Sequence, residues 1–183
     1  MAGLRERIGQ RVLRKRLKTQ KRETSVQNFD TARSAVIVFD ADIKNGFHVV
    51  KEFRKFLLEK EISCTVYGYM DQKEIPKDML FWKDYHIITK RDLNWYQMPV
   101  GEEAALYRQE DPDMLFDFSF NPGIELQFLV QMSPARFKIG SYTGEKNDYD
   151  LMINLPEKKD LAYLSEQIKH YVSMLNPVNH SEL

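Results

Sequence analysis

The sequence predicts an α/β protein with a Rossmann-like, mostly parallel sheet covered by helices and with a basic helix appended at its N-terminus. Residues 34–40 form a continuously apolar, β-branched run, which is typical of a strand buried on both faces. Further along the chain, similar runs alternate with amphipathic segments. This alternation favours parallel strands joined by helical crossovers, so a doubly wound sheet is the expected architecture.

The N-terminal segment is strongly basic. Residues 1–23 hold nine basic and two acidic residues, so they carry +7 while the remainder of the neutral chain carries −7. The segment has no proline and consists largely of good helix formers. Five of its cations share one helical face: Arg7, Arg11, Arg14, Lys18 and Lys21. We therefore predict a basic helical arm over 1–23, followed by a linker over 24–33.

The body alternates strands and helices. In chain order, the predicted elements are strands at 34–40, 63–69, 86–89, 113–119, 136–140 and 149–155, and helices at 42–60, 101–109, 121–132 and 157–175. The strands are rich in β-branched and aromatic residues. The first of these helices is predicted because Val50, Phe53 and Leu57 fall on one of its faces. The stretch 89–96 is expected to be a loop.

The second half of the body ends in two differently patterned helices. Asn121 followed by Pro122 is a helix start signal, and the helix that runs from there to Met132 is apolar nearly all round, so it should be buried. One face of the last helix is formed by Leu161, Leu164, Ile168, Tyr171, Val172 and Leu175. Together these elements predict one domain over 34–175 with a flexible tail over 176–183.

Composition excludes several classes of protein. Hydrophobic residues make up 43% and charged residues 30% of the chain, the balance of a soluble domain with a core. No run of about 18 apolar residues could span a membrane, and no apolar stretch follows the basic start as in a secretory signal. The single cysteine, Cys64, cannot form an internal disulfide and is expected to be a buried thiol. We therefore expect a cytoplasmic protein.

Motifs for catalysis and cofactor binding are absent from the sequence. Neither Gly-x-Gly-x-x-Gly nor Gly-Lys-Ser/Thr nor Gly-x-Ser-x-Gly occurs, and the four histidines are scattered. The sequence therefore predicts no catalytic residue, no cofactor and no metal. It favours a binding protein over an enzyme.

Polar side chains follow two of the predicted strands. Asp40 and Asp42 come at the end of the first strand, and Asp117, Ser119 and Asn121 at the end of the fourth. If these strands are neighbours, the five residues line one crevice at the edge where doubly wound sheets bind ligands. Carboxylates in such a crevice could hold a metal or act as acid and base. Alternatively, they cap loops and helix starts.

The basic arm indicates a polyanionic partner. Its cations extend over about 21 Å of helix and suit a row of phosphates, which Arg binds bidentately. A membrane-surface helix needs a contiguous apolar face, but Leu4, Ile8 and Val12 lie away from Leu13 and Leu17. Structured RNA is therefore favoured over an anionic membrane, and nothing in the pattern specifies DNA. A third alternative is that the arm folds back onto the acidic body.

Several runs carry a resemblance to a known family. The segments 89–96, 113–121, 133–142 and 149–155 look like a family of uncharacterised Bacteroidetes proteins of about this length. The resemblance extends over nearly the whole chain, including its basic start. It implies no activity and no catalytic residue.

Residues 113–140 are also distantly similar to the N-terminal half of heptosyltransferase-type GT-B glycosyltransferases. In both, a strand with Asp, a buried helix and an Ile-Gly strand occur in the same order. The resemblance implies a Rossmann-like half-domain with an acidic residue after its first strand, a position that Asp40 or Asp42 matches. One half of such an enzyme would act only with a partner or survive as a remnant.

Three hypotheses follow. The leading one is a non-catalytic cytoplasmic binding module whose basic N-terminal helix docks on structured RNA, with the ribosome as the candidate. The second is a remnant or partner-dependent glycosyltransferase-like domain that binds a sugar or nucleotide in the crevice. The third is a peripheral membrane adaptor. The sequence leaves the oligomeric state open.

Overall fold

A computed structural model describes residues 3–75, 85–142, 144, 148–155 and 160–176. In this part of the chain, six strands form one parallel sheet in the order β3-β2-β1-β4-β5-β6. The strands are β1 Ser34–Asp40, β2 Ser63–Met70, β3 Tyr85–Thr89, β4 Met114–Phe118, β5 Phe137–Ser141 and β6 Leu151–Ile153. The predicted fold class is thus confirmed, with every pairing between these six strands parallel.

The described helices are α1 Leu4–Leu17, α2 Gly46–Glu59, α3 Glu102–Tyr107, α4 Ile124–Met132 and α5 Leu161–Met174. A short 3-10 helix, Lys90–Asp92, begins the stretch that was predicted to be a loop. The first residues of the predicted last helix, 157–159, and the tail residues 177–183 lie outside the described residues. Tyr171, which the sequence places on the apolar face of the last helix, is 45% exposed.

The strand order reverses at β1, which lies between β2 and β4. Val38 on β1 pairs with Asp117 on β4, and Phe39 pairs with Phe118. The switch point of the sheet therefore lies between these two strands, where the sequence placed the crevice.

Alternation along the strands divides the core between the two faces of the sheet. Ile37 and Phe39 pack on the face that α2 and α5 cover, whereas Val36 and Val38 pack on the face that α3 and α4 cover. All four side chains are buried. The run is apolar without interruption because helices cover both faces, as the sequence predicted.

Helix α4 is apolar nearly all round because it lies between two partners. Leu126 and Leu129 pack towards the sheet, whereas Ile124 and Phe128 pack against Leu13 of α1. The buried helix is as predicted, but its start is not. Its N-cap is Gly123, and Asn121 lies before it with a left-handed φ of 55°.

The N-terminal segment is helical over a shorter range than 1–23, because α1 ends at Leu17 and Lys18 is its C-cap. The predicted linker that follows the basic segment packs against the body. Phe29 and Ala32, in the predicted linker, are buried in the core between the sheet and α2.

Candidate functional site

Helix α1 is anchored to the body by its uncharged side chains. Leu13 is only 1% exposed and contacts α4. Beside it, Gln10 Nε2 donates to Gln127 Oε1 at 2.7 Å. Gly9 allows a close approach, since a Cβ at this position would lie 2.5 Å from the Tyr96 carbonyl oxygen. The arm does fold back onto the body, as one alternative held, and over α1 it does so through apolar and amide contacts.

The opposite side of α1 presents the basic residues to solvent. The five predicted cations are all exposed: Arg7, Arg11, Arg14, Lys18 and Lys21. None of the five forms an ion pair with another residue in the described ranges. The described part of the acidic body therefore provides no ion-pair partner for these charges.

Arg22 behaves differently from these five. Its guanidinium nitrogens donate to the two carboxylate oxygens of Asp150 at 2.7 and 2.8 Å, and Nη1 also donates to the Ala135 carbonyl at 3.0 Å. This bidentate pair ties the end of the basic segment to the loop before β6. Arg22 is thus a structural residue that fixes where the segment enters the body.

The predicted row of five cations is interrupted at the end of α1. Arg7, Arg11 and Arg14 lie on the helix, whereas Lys18 caps its C-terminus and Lys21 follows it. The helical part of the row spans about 10 Å at 1.5 Å per residue. The predicted continuous 21 Å row is therefore a shorter helical row with two lysines beyond it.

The predicted crevice is only partly assembled. Because β1 and β4 are neighbours, Asp40, Asp117 and Ser119 belong to the same face of the sheet. Asp117 and Ser119 are each only 1% exposed, whereas Asp42 and Asn121 are exposed. The five residues therefore do not line one open cleft.

Asp40 and Asp42 shape the loop after β1. The backbone N–H of Asp42 donates to Asp40 Oδ1 at 3.0 Å, and the N–H of Asp71 donates to Asp42 Oδ2 at 2.6 Å. Burial raises the pKa of the Asp40 carboxyl, and the nearby charges of Asp42 and Asp71 add to this shift. These contacts correspond to the loop-capping alternative. Among the residues described, no three acidic, His or Cys side chains form a group that could hold a metal.

Asp117 is a buried carboxyl held by a tyrosine. The Tyr149 hydroxyl donates a short hydrogen bond to Asp117 Oδ2. Burial raises the pKa of Asp117 to about 6, whereas the hydrogen bond from Tyr149 opposes the shift and the charge of Asp40 adds to it. The Tyr149 ring lies directly over Gly140, where a Cβ would come within 2.7 Å of the ring carbons. Gly140 thus provides the space through which Tyr149 reaches β4.

A second buried charge, Lys138, was missed by the sequence reasoning. It lies on β5 opposite Leu115 and is 1% exposed. Its Nζ donates to the Gln131 carbonyl at 3.0 Å. Burial and the charge of Arg22 lower its pKa to about 8, although the charges of Asp148 and Asp150 oppose the shift. The sequence did contain a signal for this buried charge. Lys138 stands between Phe137 and Ile139 in a predicted buried strand, and a buried ammonium needs a hydrogen-bond acceptor nearby.

The remaining reactive side chains maintain the structure. Cys64 is partly buried, and burial raises the pKa of its thiol to about 12, which disfavours the nucleophilic thiolate. His86 Nδ1 lies 2.5 Å from Glu103 Oε2, and the imidazole stacks on Tyr67 with ring centroids 4.8 Å apart. These contacts link β3, β2 and α3.

Over residues 5–175 the chain matches the family model described as "Family of unknown function (DUF6913)". The chain belongs to this family. Membership of DUF6913 agrees with the expected relation to an uncharacterised family, and no glycosyltransferase resemblance is shown. No significant match to a curated protein or to a solved structure is found. Within the described residues of this DUF6913 member, no helix has the length and apolar character needed to cross a bilayer.

Proposed function

We propose that this protein is a non-catalytic cytoplasmic module that binds structured RNA, with the ribosome as the candidate, through the exposed cationic face of α1. One observation carries the proposal. The helix is fixed to the body by Leu13 and Gln10, while Arg7, Arg11 and Arg14 face solvent without ion-pair partners in the described ranges. The row of three arginines is therefore held in a fixed position and has no ion-pair partner in the described part of the chain.

The way α1 docks favours a polyanion in water over a membrane. A helix that binds a bilayer surface inserts its apolar face into the lipid boundary. On α1 this face is already occupied, because Val12, Leu13 and Leu17 pack against the body. Of its apolar residues, Leu4 remains strongly exposed at 73%. What α1 offers to a partner is thus mainly charge.

Arginine predominates in the helical row, which suits phosphate. Its planar guanidinium can bind two phosphate oxygens at once, and each neutralised phosphate releases condensed counterions. The body carries −7 and would repel the same RNA, so the RNA should approach from the α1 side. Binding of this kind is strongly dependent on salt.

Filter binding of the full chain to ribosomal RNA, titrated with KCl, tests the proposal. For about five phosphate contacts, the slope of log K against log salt should be on the order of −3.5 to −4.5. The triple variant Arg7→Gln, Arg11→Gln, Arg14→Gln should bind more weakly and with a slope smaller by about 2 to 3. All three side chains are exposed, so the fold should persist.

A control variant removes the same charge elsewhere. Lys44→Gln, Lys55→Gln, Lys60→Gln changes three exposed lysines around α2, on the other side of the sheet. It should retain both the affinity and the salt slope of the natural chain. Equal binding by the two triple variants would refute the proposal. If the full chain sediments with phosphatidylserine vesicles but does not bind RNA, the membrane alternative is indicated instead.

A further inference from the structure

An apolar groove lies over α4, between α1 and α3. Its floor includes Phe128 and Leu129 of α4. Phe128 packs in the cluster that contains Leu13 of α1, whereas Leu129 packs in the cluster that contains Ala104 of α3. The groove has a volume of about 110 Å³ and therefore lies where three helices converge.

The inner surface of the groove is apolar. Met98 and Met132 are half-buried at its sides, and Pro99 borders it. Tyr107 contributes its ring, while its hydroxyl donates to the Leu129 carbonyl at 2.7 Å and is thus already bonded. Methionine side chains are unbranched and adapt to the shape of an apolar partner. The groove therefore suits an apolar group whose shape is not narrowly fixed.

Two arginines flank this groove. Arg16 of α1 lines it from one side, and Arg108, the C-cap of α3, lines it from the other. Both are exposed, and neither guanidinium forms an ion pair or a hydrogen bond within the described ranges. No carboxylate is among the described residues that line the groove. Its positive charge is therefore available to an external anion.

The size of the groove distinguishes between classes of occupant. Pockets for complete small ligands or cofactors usually measure about 300–1,000 Å³. A cavity of about 150 Å³ holds a single benzene ring, so a groove of about 110 Å³ accommodates one apolar side chain. Such a side chain belongs to a peptide, and carboxylates beside it on that peptide can bind arginine bidentately. Volume and charge together indicate a protein segment rather than a cofactor.

We propose that this groove binds an acidic segment of a partner protein, in which one apolar side chain is flanked by aspartate or glutamate. The apolar side chain occupies the space over Phe128 and Leu129, and the flanking carboxylates pair with Arg16 and Arg108. A few anchor residues in pockets, arginines prominent among them, usually carry most of the affinity of a protein interface. The site does not depend on RNA binding by α1, because neither arginine is among the five cations of that surface.

Titration of the full chain with synthetic peptides, followed by amide chemical shifts, tests the proposal. The probes are blocked peptides in which Leu, Met or Phe stands between two pairs of glutamates. At least one of them should bind, with shifts centred on Ala104, Arg108 and Leu129. A peptide with Ser at the central position, and one with Gln in place of each Glu, should bind at least tenfold more weakly.

Variants of the protein test the role of the two arginines. Arg16→Gln, Arg108→Gln should weaken binding of the same peptide tenfold or more, and the fold should persist because both side chains are exposed. The matched control Lys44→Gln, Lys60→Gln removes two exposed charges on the other side of the sheet and should bind as the natural chain does. Arg7→Gln, Arg11→Gln, on the RNA-binding surface, should also leave peptide binding unchanged.

Three results would overturn the proposal. They are the absence of shifts with all three apolar-centred peptides, undiminished binding by the variant at Arg16 and Arg108, and loss of binding in Arg7→Gln, Arg11→Gln, which would place the acidic peptide on the exposed face of α1. Should the variant at Arg16 and Arg108 fail to fold by circular dichroism, the shifts of the natural chain decide. Shifts centred away from Ala104 and Leu129 contradict the site. Failure of RNA binding alone would leave each of these results unchanged.

Discussion

The two faces of the sheet are built from different chemistry. The face that α2 and α5 cover is dense in phenylalanine, and Phe53 packs with ring centroids 4.9 Å from Phe116 and 5.0 Å from Phe118. The side that α3 and α4 cover holds three buried charged residues among those described, Asp117, Glu125 and Lys138, together with several tyrosines. Among described residues, no charged side chain is buried on the first face.

This difference separates a face that stabilises the fold from a face that carries a stability cost. Burial of aromatic side chains stabilises the fold at the α2 and α5 face. Burial of Asp117 and Lys138 costs free energy, because each charge loses most of its hydration. Helix α1 also packs on this side of the sheet, against α4.

The largest effect is expected on the apolar face. Phe53→Ala should lower the free energy of unfolding by about 3 to 5 kcal/mol, because it opens a cavity among packed rings. Urea unfolding followed by circular dichroism measures the loss. Leu58→Ala on the same helix, where the side chain is 44% exposed, should cost at most about 1 kcal/mol. Similar losses for the two variants would contradict the packing of Phe53 in an apolar core.

On the polar face, Asp117→Asn should change the pH dependence of stability. The folded pKa of Asp117 is about 6, above the ordinary value of 3.8, so the folded state binds more protons than the unfolded state between these values. Stability from this group therefore falls as pH rises from about 4 to 6. The penalty is fully present above pH 6 and amounts to about 3 kcal/mol.

Relative to the natural chain, Asp117→Asn should gain about 3 kcal/mol in stability between pH 3.5 and pH 7. The comparison is made by urea unfolding at both pH values. Asp30→Asn, at an exposed position, should show no such relative gain. A difference between Asp117→Asn and the natural chain that is independent of pH would show that burial does not penalise this carboxylate.

The smallest effect is expected where α1 meets the body. In Gly9→Ala, the new Cβ would lie 2.5 Å from the Tyr96 carbonyl oxygen and 3.1 Å from Ile124 Cγ1. The clash outweighs the better helix propensity of alanine, so a net loss of about 1 kcal/mol is expected. Thermal unfolding measures it, with Leu4→Ala at an exposed position of the same helix as the control. A higher melting temperature for Gly9→Ala than for the natural chain would contradict the close approach of α1 to the Tyr96 carbonyl.

The strands and the charge asymmetry could be predicted because their signals are local. Ser34–Asp40 was predicted with its observed bounds, since a strand buried on both faces needs an unbroken apolar run. The exposure of Arg7, Arg11 and Arg14 on one face follows from helical spacing alone. The start of α4 was predicted wrongly, because Asn121 and Pro122 resemble a cap although Gly123 takes that position.

The sequence by itself therefore determined the fold class, the order of its elements and the separation of a basic segment from an acidic body. Only the tertiary structure decided that α1 docks on α4, that Arg22 pairs with Asp150, and that Lys138 is buried and donates to the Gln131 carbonyl. These features depend on contacts between residues far apart in the chain, which no local pattern specifies. Periodicity shows which side of an element is apolar, but the partner that covers that side is settled by packing in three dimensions.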